Sequence, residues 1–541
     1  MQAFNVLIAI VFSRAQVRVN RPLVDRWHDR AMANTSDDLT AAGASQTFRL
    51  FATIFGLIFS LSLVWSLATP LMAVPDEPAH AIKAAAVVRG ELFGTPSKTA
   101  GALDVTVPRG IANSASYPCF AFKPTITPQC HTQIAGATDR RLIQVSTSAG
   151  AYNPVFYLMA GIPSLYLSGD VALYGMRFVA ALITSLFWAS AVVASTFLGK
   201  RWTFIASVIA ITPMALFLAG SINPNGLEVS SAASFFAWFL VLLKNSSGRA
   251  LEWTAAGAGT LSGSVLVNGR SIAAVWLLLG VISAFAFVNT TEFQRILRRP
   301  AFWVGTGTIG IAAVFATLWL FRAGGITSGE PFIGAGTSPL TGFVTMLGQT
   351  FDYATGYIGM FGWLDRPAPT ATFAVWGALL IAAAVAVFAK SRPHMLFRLS
   401  VPLAFLVIAP AVVQAAAVTQ FGYIWQGRYA FALFVVVVIA TGYGLDQNFA
   451  AARFGPLSLR AIKFSIGLVV ATHFLAFFTA LHRYVVGDGT TFFRMVLSPT
   501  WQPPLGWLLI SLLFLALSAS SGVLFYRFLF GGSRFRPIAS R

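Results

Sequence analysis

Long apolar runs alternate with short polar stretches along almost the whole chain. A helix crosses the hydrocarbon core of a bilayer with about 20 apolar residues. Runs of about this length predict twelve spanning helices, near 50–71, 171–198, 202–221, 227–243, 252–267, 271–289, 301–321, 371–389, 399–418, 428–445, 464–481 and 505–528. The expected fold class is therefore an all-α polytopic membrane protein, with a transmembrane domain at 50–528, a basic N-terminal segment at 1–49 and a basic tail at 529–541.

The charge of the polar stretches predicts which side of the membrane each one faces. Basic residues are enriched in cytoplasmic loops. If the N-terminus is cytoplasmic, most of the 37 basic residues fall on the cytoplasmic side, and both termini lie there.

Two long segments then face the outside, at about 72–170 and about 322–370. The first includes an apolar run from Tyr152 to Leu167 that is short and contains two prolines, Pro154 and Pro163. If this run spanned, most basic clusters would move outside. We therefore predict a juxtamembrane or re-entrant helix within a large first outside loop.

Composition supports this class and excludes others. Hydrophobic residues make up 56% of the 541 residues and charged residues only 10%, which a soluble domain of this length could not accommodate. The formal net charge of +19 comes from short basic clusters between apolar runs instead of one basic face. We therefore expect membrane lipids as partners and no nucleic acid.

An acidic pair, Asp76 and Glu77, follows the first predicted helix, and His80 lies one helical turn further on. Ionisable groups at the end of a membrane helix are functional candidates. We predict a catalytic role for these three residues, because a positioned carboxylate can act as a general base. They could also form part of a shell for Mg²⁺ or Mn²⁺, and the sequence leaves metal dependence open. A structural alternative is that the acids stabilise a helix N-terminus through its dipole.

Seven further polar residues come from separate loops but share the predicted outside face. These candidate substrate-binding residues are Asn223, Asn225, Glu228, Arg270, Asp365, Gln426 and Arg428. Guanidinium groups bind phosphate through two parallel hydrogen bonds, which suggests a phosphate site at the arginines. Turn formation by the asparagines and snorkelling of the arginines remain structural alternatives.

The chain has two cysteines, Cys119 and Cys130, and both lie in the first outside loop. Disulfides persist outside the cytoplasm. We therefore predict a disulfide that closes this part of the loop.

Several short motifs resemble those of known membrane enzymes. The run Pro75-Asp76-Glu77 after the first helix resembles the first outside loop of the GT-C superfamily of membrane glycosyltransferases, and the run from Asn153 to Leu158 resembles its juxtamembrane helix. Four motifs in order resemble a bacterial family of predicted membrane proteins of unknown function that is grouped with GT-C. They are Pro-Asp-Glu-Pro-x-His at 75–80, Asn-Pro-Asn-Gly-Leu-Glu at 223–228, Gly-Trp-Leu-Asp at 362–365 and Gln-Gly-Arg-Tyr at 426–429.

This resemblance implies a GT-C-like fold in the bacterial plasma membrane and an inverting transferase. Its donor would be a polyprenyl-phosphate sugar, and its acceptor a hydroxyl of an envelope glycan, lipid or protein. On this reading Asp76 is the general base or the carboxylate that orients the acceptor, and Glu77 is its partner or a metal ligand. Arg270 and Arg428 would hold the leaving phosphate. The chain departs from many GT-C enzymes in the second outside loop, where Asn223 and Asn225 replace an Asp.

Two other functions remain compatible with the sequence. A transporter or flippase for an anionic lipid-linked or small substrate would also have about twelve helices and a cationic cavity. A non-catalytic envelope-assembly subunit would account for the missing Asp.

Overall fold

The computed structural model describes residues 36–131, 138–199, 201–245, 248–323, 331–449 and 456–530. The chain divides into two units, Met1–Leu50 and Phe51–Arg541, and the packing described below is that of the second. Most of the predicted basic N-terminal segment, nearly all of the basic tail and part of the loop at 322–370 lie outside the described residues.

Helices dominate the described chain. In order they are α1 (Ser36–Ala68), α2 (Glu77–Val87), α3 (Arg109–Asn113), α4 (Val155–Ala160), α5 (Pro163–Tyr166), α6 (Gly169–Leu198), α7 (Trp202–Ile209), α8 (Pro213–Ala219), α9 (Pro224–Lys244), α10 (Arg249–Val267), α11 (Ala273–Phe285), α12 (Thr290–Leu297), α13 (Pro300–Arg322), α14 (Pro339–Gly348), α15 (Thr350–Ile358), α16 (Thr370–Lys390), α17 (Pro393–Phe421), α18 (Phe431–Phe449), α19 (Pro456–Val486), α20 (Phe492–Leu497) and α21 (Trp507–Phe530).

Nine stretches of helix in the described ranges are long and apolar enough to cross a membrane, and they fall in α1, α6, α9, α13, α16, α17, α18, α19 and α21. Helices α7 and α8 meet this criterion only together, with a bend of 59° between them. The expected class, an all-α polytopic membrane protein, is confirmed. The count of twelve is not: α10 and α11 occupy two runs that we predicted to span, but α11 has only 13 residues. At 1.5 Å per residue such a helix is about 20 Å long, shorter than the ~30 Å hydrocarbon core.

Helix α9 is the central helix of the packing. The apolar stretch of α9 is wholly buried inside the protein, whereas only 11% of the apolar stretch of α13 is buried. It packs most extensively against α6 and α10, and also against α18. Because α9 begins at Pro224, the Asn-Pro-Asn-Gly motif lies at its N-terminal end. Among the candidate spanning helices of the described ranges, α9 is the most buried.

The α1–α6 segment (residues 69–168) contains a small sheet that the all-α prediction missed. Strands β1 (Thr95–Pro96), β2 (Leu103–Pro108) and β3 (Leu142–Thr147) form an antiparallel sheet in that order. Val105 and Val107 on β2 are fully buried and pack in one core with residues of α2 and α4. Strands of six residues with alternating burial give no signal in a search for long apolar runs.

Two more features of the fold bear on the site. Helices α4 and α5, of six and four residues, occupy the apolar run 152–167, and each is too short to cross a bilayer. A short hairpin of β4 (Met360–Phe361) and β5 (Arg366–Pro367) follows α15 and carries the Gly-Trp-Leu-Asp motif.

Candidate functional site

The turn before α2 separates two adjacent carboxylates. Asp76 adopts a left-handed backbone conformation with φ 66°, and 49% of its side chain is exposed. Glu77, the next residue, is fully buried. Positive φ is uncommon outside glycine, and such conformations cluster at functional sites because the surrounding structure must enforce them.

Asp76 forms an ion pair with Arg428, which lies in the short turn directly before α18. Arg428 Nη2 donates a hydrogen bond to Asp76 Oδ2 over 2.6 Å, and only 1% of the Arg428 side chain is exposed. Its Nε and Nη1 atoms are buried and have no hydrogen-bond partner among the described residues. A Cβ on the preceding Gly427 would clash with the backbone of α15, so glycine permits this close approach. Arg428 therefore keeps donors for a further acceptor while it contacts Asp76.

Arg270 and Arg428, the two predicted phosphate ligands, both lie against the ring of Tyr429. The guanidinium carbons of Arg270 and Arg428 lie 4.4 and 5.6 Å from the centroid of its ring. Arg270 Nη1 also donates to Glu228 Oε2 over 3.4 Å. Burial disfavours the charge of Arg270, but Glu228, followed by Tyr152 and Tyr429, outweighs this effect and raises its pKa. Two arginines are thus held close together beside one exposed carboxylate.

His80 is adjacent to the same cluster but is buried beneath it. Its Nδ1 shares a hydrogen bond of 2.7 Å with the hydroxyl of Tyr157. Burial lowers the pKa of His80 to about 3; Asp76 opposes this shift, and Arg270 and Arg428 add to it. The ring is therefore neutral at physiological pH and orients neighbouring groups instead of carrying charge.

The Asn-Pro-Asn-Gly motif joins the turn of Asp76 to α9. Asn223 caps α9 by accepting a hydrogen bond from the Asn225 amide, and its Nδ2 donates to the Pro75 carbonyl over 3.0 Å. Asn225 Nδ2 donates to Glu228 Oε2 over 3.4 Å. All three predicted residues of this motif are buried. They hold the turn and Arg270 in place, and this structural role is the one the geometry supports.

Glu77 requires a correction to the prediction. Arg177 Nε and Nη2 donate to its two carboxylate oxygens over 2.7 and 2.6 Å, and the Ile222 amide donates to Oε1 over 3.1 Å. Neither side chain has any exposed surface. Because both oxygens are engaged and enclosed, the geometry supports a structural role for Glu77 instead of the predicted catalytic one. Sequence reasoning missed Arg177, although an arginine inside an apolar spanning run signals a buried partner.

Asp365 and Gln426 have different surroundings. Asp365 Oδ2 accepts a hydrogen bond of 2.7 Å from Arg483 of α19, an ion pair that is almost fully buried. None of the described contacts joins Asp365 to Arg270 or Arg428. Gln426 precedes the Gly427–Arg428 turn, and its Oε1 is buried with no hydrogen-bond partner in the described part of the chain. Asp365 therefore belongs to a second charge cluster, whereas Gln426 stays beside the first.

A disulfide joins Cys119 to Cys130, with 6.2 Å between their Cα atoms. The loop that it closes is held by Arg483, which donates to the carbonyls of Phe120, Lys123 and Ile126 over 2.9 to 3.2 Å. The same guanidinium binds Asp365. Arg483 thus connects the disulfide loop to the hairpin of β4 and β5. The sequence analysis did not single it out.

The shell for Mg²⁺ or Mn²⁺ that the sequence left open does not assemble among the described residues. Asp76, Glu77 and His80 are engaged by Arg428, Arg177 and Tyr157 respectively. Within the described ranges no group of three or more His, Cys, Asp or Glu side chains converges. Asp76, Glu77 and His80 therefore do not form a binding shell for a divalent cation in this arrangement.

The fold and the charge cluster define a polytopic membrane protein with a built polar site at the ends of its helices. The chain belongs to DUF2142, a family described as a predicted membrane protein, whose profile matches residues 59–437. This match confirms the resemblance to a predicted-membrane-protein family. No curated protein matches the chain.

Two solved structures are similar at low identity. A crystal structure of ArnT from Cupriavidus metallidurans in the apo state has a TM-score of 0.43 and 14% identity, and the match covers 89% of this chain and 76% of that one. The same protein bound to undecaprenyl phosphate has a TM-score of 0.41 and 11% identity, over 90% and 77% of the two chains. Structural similarity at such low sequence identity does not determine an activity.

Proposed function

We propose that the protein is a membrane glycosyltransferase that moves a sugar from a polyprenyl-phosphate donor to a hydroxyl of a cell-envelope acceptor on the outside face. The contact between Asp76 and Arg428 carries the proposal. It joins a half-exposed carboxylate, suited to accept a proton, to a buried guanidinium with unused donors, suited to bind a phosphate. The resemblance of Pro75-Asp76-Glu77 to the first outside loop of GT-C enzymes supports the role of the carboxylate.

In the proposed reaction the acceptor oxygen attacks the anomeric carbon of the donor sugar. The bond between that carbon and the phosphate oxygen breaks, and the lipid phosphate leaves with the bonding electrons. Asp76 takes the proton of the attacking hydroxyl, while Arg428 and Arg270 neutralise the charge that develops on the phosphate. A single displacement of this kind inverts the anomeric centre.

The position of the charges favours this function over transport. Asp76 precedes α2, Arg270 lies between α10 and α11, and Arg428 precedes α18, so all three are at helix ends. Transport sites typically lie near the bilayer midplane, at breaks within spanning helices. A site at helix ends is better suited to chemistry on a lipid headgroup.

The Asp76→Asn variant tests the proposal, since it preserves shape and removes basicity. The purified protein in lipid bilayers would be given a radiolabelled polyprenyl-phosphate sugar and envelope glycan, and product would be measured. We expect about 10²- to 10⁴-fold slower transfer, the usual contribution of a general base, with donor binding retained. The control Asp352→Asn removes an exposed carboxylate from α15 and should transfer at the parental rate.

Two outcomes would contradict this function. Parental rates from Asp76→Asn would refute the base. Absence of product from the parental protein with a panel of polyprenyl-phosphate sugars would refute the transferase and favour a transporter or an assembly subunit.

A further inference from the structure

A cavity of about 280 Å³ lies where the α1–α6 segment meets the start of α6. Its lining combines Arg89 and Arg140 with one carboxylate, Asp139, and with Leu142, Leu165 and Ser168. None of these residues belongs to the site of Asp76. A lining that is partly cationic and partly apolar suits an amphipathic anion.

The depth of this cavity follows from the helix that borders it. Helix α6 begins at Gly169 and is long and apolar enough to span the membrane. The first residues of a spanning helix lie where the hydrocarbon ends and the lipid headgroups begin. The cavity therefore opens at headgroup level, and the N-terminus of α6 adds a partial positive charge there.

Exposed apolar side chains around the cavity indicate contact with lipid. Leu158, Ile162, Tyr166 and Val171 are 46%, 48%, 72% and 63% exposed. They lie on or beside the short helices α4 and α5 and on the first turn of α6. Short helices with an exposed apolar face lie in the plane of the membrane interface, and tyrosine is enriched at that level.

Within the described ranges neither arginine forms an ion pair with a carboxylate, because Asp139, which lines the same cavity, pairs with Arg141 and lies near Arg109. Arg89 donates to the Ser164 side chain and carbonyl over 2.8 and 2.6 Å, and Arg140 donates to the Tyr166 carbonyl over 2.6 Å. These are hydrogen bonds to neutral oxygens. Burial, and then the charge of Arg140, lower the pKa of Arg89, so the two cations repel each other.

The nearby acids are already engaged. Asp139 pairs with Arg141 at 2.7 Å and lies 3.7 Å from Arg109. Asp170 accepts a hydrogen bond of 2.8 Å from the Tyr117 hydroxyl. An added anion would therefore relieve the repulsion between Arg89 and Arg140.

We propose that this cavity binds the phosphate of an anionic membrane phospholipid between Arg89 and Arg140, with the acyl chains against the neighbouring apolar face. The bound lipid would fix the α1–α6 segment to the bilayer. The site is separate from the transferase site and does not depend on the proposed activity.

Native mass spectrometry of the full-length protein tests this proposal. Protein in a neutral detergent would be titrated with phosphatidylglycerol, with phosphatidylcholine of the same acyl chains, and with inorganic phosphate. We expect a tightest site that prefers phosphatidylglycerol. Arg140→Gln should weaken it about five-fold, the usual effect of one arginine near an anionic surface. Lys98→Gln is the control, because it removes the same charge from an exposed position of the same segment that does not line the cavity.

Three results would overturn the proposal. Equal weakening by Arg140→Gln and Lys98→Gln would mean that total charge alone attracts the lipid. Equal binding of the two phospholipids would remove the role of the headgroup charge. Binding of inorganic phosphate that depends on Arg140 as strongly as lipid binding does would identify a free-anion site. The melting temperature of each variant, measured in parallel, would show that it is folded.

Discussion

Arg177 donates hydrogen bonds to both carboxylate oxygens of Glu77, and neither side chain is exposed to solvent. The same guanidinium donates to the carbonyls of Ser66, Thr69 and Pro70 over 2.6 to 2.8 Å. The pair thus joins the C-terminal end of α1 to α2 and α6. It supports the turn that exposes Asp76.

Glu77→Gln should destabilise the protein, because it leaves the charge of Arg177 buried without its partner. Breaking a buried pair in this way typically costs about 3–5 kcal/mol. The melting temperature in detergent should fall clearly, whereas exposed Asp352→Asn should leave it unchanged. A variant that melts like the parent but fails in transfer would return Glu77 to a catalytic role.

Arg428→Lys should strongly impair use of the donor while preserving the charge. Lysine lacks the planar fork that contacts Asp76 and a phosphate together. Initial rates at increasing donor concentration would measure the change, and Arg270→Lys should act in the same direction. The exposed Arg322→Lys is the control. If both site variants match it, the arginines serve the membrane interface instead of a phosphate.

Reduction of the disulfide should loosen the loop that Arg483 holds. Closing a loop of this size contributes about 3 kcal/mol in the chain-entropy model. Unreduced peptide mapping should find the peptides of Cys119 and Cys130 linked, and the double serine variant should melt at a lower temperature. Recovery of both as free thiols would contradict the bridge.

The stability of the protein should fall below about pH 6.5 in a way that depends on His80. The pKa of His80 is about 3 in the folded protein, and that of an unfolded histidine is about 6.5. Between these values the unfolded chain binds the extra proton, so the contribution of neutral His80 is complete above the upper value and is lost as the pH falls towards the lower one. The charged and titratable groups that face His80 are Asp76, Tyr152, Tyr157, Arg270 and Arg428.

Melting temperatures of the parent and of His80→Gln between pH 4 and 7 would measure this effect. The variant should lose less stability on acidification, and the exposed His394→Gln should behave like the parent. Parallel curves for parent and His80→Gln would show that His80 does not resist protonation.

The predicted orientation can be tested by thiol labelling, because both native cysteines are paired. In intact cells an impermeant reagent should label a cysteine placed at Ser97, in the predicted first outside loop, but not one at Arg295, in a predicted cytoplasmic loop. Lysed cells should show labelling at both positions. The reverse pattern in intact cells would invert the topology.

Local sequence patterns determined the class of this protein and the positions of its long helices. Hydrophobicity over about 20 residues is a local property, so the sequence alone predicts the positions of α6, α9 and α13. The same reasoning failed for β2 and β3, because six alternating residues are too few to stand out. It also predicted that 271–289 spans, whereas α11 has only 13 residues, because a hydrophobic run does not fix where its helix begins and ends.

The tertiary structure decided which polar residues meet. Asp76 and Glu77 are neighbours in the sequence with the same chemistry, yet packing exposes one and encloses the other. Their partners Arg428 and Arg177 lie 352 and 100 positions away. The sequence analysis predicted a role for Arg428 and none for Arg177, because pairing depends on which helix ends come together. That arrangement is set by the packing of all the helices at once, which no local pattern encodes.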